Sequence, residues 1–141
     1  FLKIHQEDPF ARRYMADIGH FDFGATFRPI DFGGWLDEPG FRDPLTLSFW
    51  LRYWVAAYST ILDHVGPRVR MIGYDRLCER PEEEVGRLGQ VAEVADTNAL
   101  RAAAGVLKPP SRRLVDTGEV DGDLVDRAID LFGRLNRATE A

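Results

Sequence analysis

The sequence predicts an α/β chain, mostly helical, with one main strand over about 69–74. Three observations carry that expectation. Trp50, Tyr53, Trp54 and Tyr58 recur at three- and four-residue spacing and share one face of a helix. Val69-Arg70-Met71-Ile72-Gly73-Tyr74 follows the breaker Gly66-Pro67, is short and β-rich, and stops at a polar turn. Asp8-Pro9, Asp43-Pro44 and Arg80-Pro81 each place proline where a helix can begin, since the first helical N–H has no partner within the helix.

Taken in order, Phe1-Leu2-Lys3-Ile4 reads as the end of an amphipathic element, as in a fragment or a processed chain. Asp8 caps a helix over about 9–18, which Gly19 ends. Residues 20–40 lack helical and strand periodicity, yet they carry Phe21, Phe23, Phe27, Phe32 and Trp35 among Asp22, Gly24, Gly33 and Gly34. Rings left in water would forfeit a large apolar contribution, so this segment is expected to be an ordered loop covering a pocket. A long helix runs from Pro44 to about His64, and the strand follows it.

The next helix spans Glu82 to about Ala95 and buries Val85, Leu88, Val91 and Ala92. Its acidic start, Glu82 to Glu84, is explained by the N-terminal helix dipole alone. A short helix over about 98–107 leads to the loop Lys108-Pro109-Pro110-Ser111-Arg112-Arg113, where tandem prolines exclude helix. The last helix covers about 121–139, with Leu124, Val125, Ile129, Leu131, Phe132 and Leu135 as its apolar positions.

At 141 residues the chain fits one domain with a real core. A net charge of −5 without a basic face argues against broad nucleic-acid binding, but two or three Arg or Lys residues suffice for a small anion. No apolar run is long enough to span a membrane. The single cysteine, Cys78, cannot form an internal disulfide and suits the cytoplasm. His5, His20 and His64 have no metal-ligand spacing, so no metal is expected. A lone strand is a difficulty, because two rows of backbone N–H and C=O groups would go unpaired. Its partners are expected from a missing N-terminal half or from another chain, which leaves homo-oligomer formation open.

Together these residues resemble the C-terminal half of the sulfotransferases that use 3′-phosphoadenosine 5′-phosphosulfate (PAPS). The resemblance lies in the helix carrying Trp50 and Trp54, the turn Tyr74-Asp75-Arg76-Leu77, and the Pro81-started helix through Glu84, Val85 and Leu88. It covers about Asp43 to Val94. One departure stands out: the family's Glu-Asp pair reads Asp75-Arg76. The resemblance implies a P-loop-kinase-like parallel-sheet sandwich, of which residues 1–141 would be the C-terminal portion of a single domain. The phosphosulfate loop and the catalytic base would lie upstream, since no Gly-rich Lys-Ser/Thr loop occurs here.

The resemblance also assigns candidate site residues. Tyr74 would lie beside the adenine of PAPS or of its product, 3′-phosphoadenosine 5′-phosphate; its other reading is a core tyrosine. Lys108, Arg112 and Arg113 would grip the 3′-phosphate, for which the guanidinium fork is suited; the alternative is a solvated basic turn. His20, Phe21, Phe23, Phe27 and Trp35 would shape the pocket for a small-molecule acceptor. His20 could also act as a base on an acceptor hydroxyl. Trp50, Tyr53, Trp54 and Tyr58 read as scaffold, packing the long helix against the sheet. The function so expected is sulfuryl transfer to a hydroxyl or amine, the 141-residue piece being inactive alone. Two other readings stay open: a non-catalytic helical interaction module, and a fragment of a P-loop kinase.

Overall fold

The computed structural model describes residues 2–21, 26–38, 43–67, 69–108 and 117–139. They form seven α-helices: α1 (Leu2–Glu7), α2 (Pro9–Asp17), α3 (Leu47–His64), α4 (Tyr74–Glu79), α5 (Pro81–Val91), α6 (Thr97–Ala103) and α7 (Gly122–Ala138). Two units are distinguishable. The first comprises Phe1–Gly66 with Asp116–Arg134, the second Pro67–Val115 with Leu135–Ala141.

The expected α/β sandwich is not what the chain forms. Among the described residues there is no strand and no sheet. Residues 69–73 carry no regular structure, and Tyr74, placed by the sequence at the end of a strand, is instead the first residue of α4. The physical reason is the difficulty already noted. β-propensity measures fit to a pleated, half-buried surface, and no second strand is present among the described residues to supply one. Val69 and Ile72 stay exposed. Gly73 then turns the chain, its carbonyl accepting the Leu77 N–H at 2.9 Å, and Asp75 in the first turn complements the dipole of α4.

Most helix starts obey local chemistry. Asp8 Oδ1 accepts the Ala11 N–H at 2.8 Å, with Pro9 behind it. Asp96 Oδ1 accepts from both Asn98 and Ala99, and Asp121 Oδ1 from Asp123 and Leu124. The start of α3 differs from expectation. Asp43 forms a tight turn with Leu45 N–H, and Thr46 is the cap, its hydroxyl accepting from Phe49. Replacing Asp96 by alanine orphans two amides at once. Asp96→Ala is expected to cost about 1–2 kcal/mol in a urea unfolding midpoint, while the exposed neighbour Asn98→Ala should cost less than about 0.5.

In the first unit, aromatic residues build the interior. Phe49 contacts Phe27, Trp35, Trp50 and Tyr53 at ring-centroid distances of 5.9, 5.4, 5.3 and 6.4 Å. The aromatic face of α3 thus packs against the segment 26–38, where a sheet had been expected. That segment is pinned by two hydrogen bonds: the Tyr53 hydroxyl accepts from Ile30 N–H, and the Trp35 indole donates to the Ile30 carbonyl. Gly33 and Gly34 take φ values of 69° and 84°, a left-handed pair that a side chain would strain, and so turn Trp35 inward.

The second unit is built on α5 packed against α6. Gly89 faces Thr97 and Leu100, where an added Cβ would lie 3.1 Å from each. Its bare backbone is what lets α6 approach. Glu84 is fully buried on α5, where its carboxylate bridges Arg76 and Arg87.

Candidate functional site

A cleft of about 230 Å³ opens in the first unit. One wall is a stripe of α3, where Arg52, Val55, Ala56, Ser59, Thr60 and Asp63 recur at three- and four-residue spacing. Phe32, Gly33, Trp35 and Glu38 form the opposite wall, and Leu124 and Arg127 of α7 complete it. The surface is apolar along Phe32, Trp35, Val55, Ala56 and Leu124, with charged and hydroxylated side chains among these. That combination is what small-molecule sites share.

The charges of the cleft are mostly spent. Arg52 is ion-paired with Glu38. Asp63 faces Arg134 at 3.9 Å, a loose, solvent-exposed pair of little energetic weight. Arg127 forms no ion pair among the described residues; Asp123 and Asp130, one turn away on α7, do not close on it. The Ser59 and Thr60 hydroxyls likewise have no partner among the described residues.

Of the acceptor-pocket residues expected from the sequence, Trp35 lines this cleft, buried against Phe49 and Tyr53. Phe27 packs on Phe49 and Trp50 instead. Phe21 is exposed, with the Arg28 guanidinium 5.0 Å above its ring. His20 sits in the turn after α2, its carbonyl accepting the Thr26 hydroxyl at 2.8 Å, and does not line the cleft. Phe23 lies outside the described residues.

Of the residues expected to hold the cofactor, Tyr74 and Lys108 belong to the second unit. Tyr74 is 62% exposed at the start of α4. The Cys78 thiol, one turn on and hydrogen-bonded to it, holds the Tyr74 phenol above the ordinary tyrosine value; slight desolvation and the Asp75 charge act in the same direction. Lys108 is exposed. Arg112 and Arg113 lie outside the described residues.

The acidic start of α5 does more than complement a dipole. Glu84 Oε1 accepts from Arg76 Nε at 2.6 Å and Glu84 Oε2 from Arg87 Nη2 at 3.0 Å, while Glu83 lies 3.6 Å from Arg76 and 3.7 Å from Arg80. Arg76, the departure from the family's turn, is therefore the residue that clamps α4 to α5. The cleft residues Arg52, Ser59, Thr60, Asp63 and Arg127 were not singled out from the sequence. A signal for four of them existed in the polar stripe of α3, at helical spacing on a helix otherwise apolar; Arg127 carried none.

Among the described residues no cluster of His, Cys, Asp or Glu could hold a metal ion, and no helix is long and apolar enough to cross a membrane. The described residues thus define a helical protein with an apolar-walled, polar-rimmed cleft in one unit and an open tyrosine in the other. Compared with known proteins, the chain matches no family model, no curated protein and no solved structure.

Proposed function

We propose that the chain serves sulfuryl transfer from PAPS to a hydroxyl or amine acceptor, as part of a PAPS-dependent sulfotransferase. Tyr74 supports the adenine ring in this reading. Lys108, with Arg112 and Arg113, contacts the 3′-phosphate. The observation that carries it is the openness of Tyr74: a core tyrosine would have no face to offer a base, and this ring has one. Sequence order is consistent with it: the Trp-bearing α3, the Tyr-Asp-Arg-Leu segment and the Pro81 start of α5 succeed one another, although the strand the resemblance places before Tyr74 is absent among the described residues. With no sheet edge among the described residues to place the nucleotide, recognition rests on the ring itself. The exposed Asp75 in the first turn of α4 disfavours a phosphate there. Catalysis in this reaction class rests on in-line positioning and on stabilising charge at the bridging oxygen as the sulfuryl group leaves it.

Titration of the full-length protein with 3′-phosphoadenosine 5′-phosphate tests the proposal by thermal unfolding. At about a hundredfold excess over Kd, bound ligand contributes about 2.7 kcal/mol, a rise of several degrees in Tm. Tyr74→Ala is expected to remove most of that rise and Tyr74→Phe to keep it. Absence of any rise in the unmodified protein rejects sulfuryl transfer, and a rise with ATP instead points to a P-loop kinase.

A second reading, a non-catalytic interaction module, has its own observation. Phe10, Tyr14 and Ile18 run along one side of α2 and its C-cap at four-residue spacing and are all exposed, the first two rings 6.2 Å apart and stacked. Such a face suits a groove in a partner. A protein indifferent to both nucleotides favours this reading.

A further inference from the structure

We propose that the cleft between α3, α7 and the Phe32–Glu38 segment is a binding site for a small aromatic or alicyclic carboxylate. Size sets the first limit. An apolar cavity of about 150 Å³ already admits benzene, so the 230 Å³ here accommodates one ring with a short polar substituent. The walls set the second: Phe32, Trp35, Val55 and Ala56 offer apolar contact to a ring.

Charge then selects the substituent. Glu38 is taken by Arg52, and Asp63 has Arg134 opposite it. Each of these carboxylates has an arginine opposite it, Asp63 only loosely, whereas the Arg127 guanidinium has no counter-ion among the described residues. Its planar fork matches a carboxylate in two parallel hydrogen bonds. Ser59 and Thr60 stand on the same lining with hydroxyls that can each donate to a carboxylate oxygen. A neutral ring would forgo the charge-assisted hydrogen bonds that the exposed Arg127 guanidinium offers.

The inference stands on the side chains of the cleft and is independent of sulfuryl transfer. Tyr74 and Lys108 belong to the second unit, so benzoate binding and nucleotide stabilisation can fail separately.

The test is a titration of the full-length protein with benzoate, followed by amide NMR and by calorimetry, with benzamide as the neutral isostere. Saturable binding in the millimolar range or tighter is expected, with shifts centred on residues 55–60. Arg127→Gln, a surface change that leaves the fold intact by circular dichroism, should weaken benzoate about tenfold and leave benzamide unchanged. Ala56→Leu, which fills the cleft, should abolish binding of both. The proposal is overturned by absence of saturable benzoate binding, by benzamide binding as tightly as benzoate, or by an Arg127→Gln affinity within about twofold of the original.

Discussion

Phe49→Ala is expected to lower the stability of the protein by about 4 kcal/mol. The ring is 2% exposed and touches four other aromatic residues, Phe27, Trp35, Trp50 and Tyr53. Truncation removes the transfer free energy of a phenyl group and leaves a cavity that rigid rings cannot collapse into, a combination that costs about 3–5 kcal/mol in protein cores. Edge-to-face partners such as Trp50 add to that loss. Against a total stability of about 5–15 kcal/mol, the variant should be largely unfolded at moderate urea. Phe49→Leu keeps most of the volume and should cost about 1.5 kcal/mol. Urea midpoints followed by near-UV circular dichroism read both. Equal midpoints for the alanine variant and the parent protein would show that the aromatic cluster is not the core of the first unit.

Glu84→Ala is expected to cost about 3 kcal/mol. The carboxylate is fully buried and is the shared partner of Arg76 and Arg87. Removing it takes the buried carboxylate from both guanidiniums, Arg76 keeping Glu83 at 3.6 Å. Breaking a buried pair costs about 3–5 kcal/mol, and the lower end applies because both arginine side chains remain about 30% exposed and can turn partly to water. The informative control is replacement of the whole triad. Glu84→Met combined with Arg76→Met and Arg87→Met removes the charged triad as a whole and should recover most of the loss, as apolar replacement of buried ion networks does. If the triple variant is no more stable than Glu84→Ala, the cost lies in packing and not in stranded charge.

Helix starts were the most legible part of this chain. Asp8-Pro9 and Arg80-Pro81 act within one turn of themselves, and their helices begin where those dipeptides place them. Asp43-Pro44 misled by a few residues because an aspartate can cap a tight turn as readily as a helix, and Thr46 three positions on caps α3. In the described part of the aromatic segment, residues 26–38, the need of its rings for cover was legible, and the Gly33-Gly34 pair marks its turn. Which rings face the cleft was not legible: Trp35 does, while Phe27 is used up in packing. Arg127 comes from α7 and Arg52 from α3, more than seventy residues away in sequence, and no local pattern links them.

By itself the sequence determined where α2 and α5 begin, which face of α3 is aromatic, and that the rings among residues 20–40 need cover. Caps, prolines and periodicity act through neighbours in the chain, so the chain alone carries them. The tertiary structure decided what is non-local. It withheld a strand from residues 69–73, because a strand exists only as a pair and no partner is present among the described residues. It also turned the acidic start of α5 into the clamp on Arg76 and Arg87, and it gathered a stripe of α3, a glycine turn and one arginine of α7 around a single cleft.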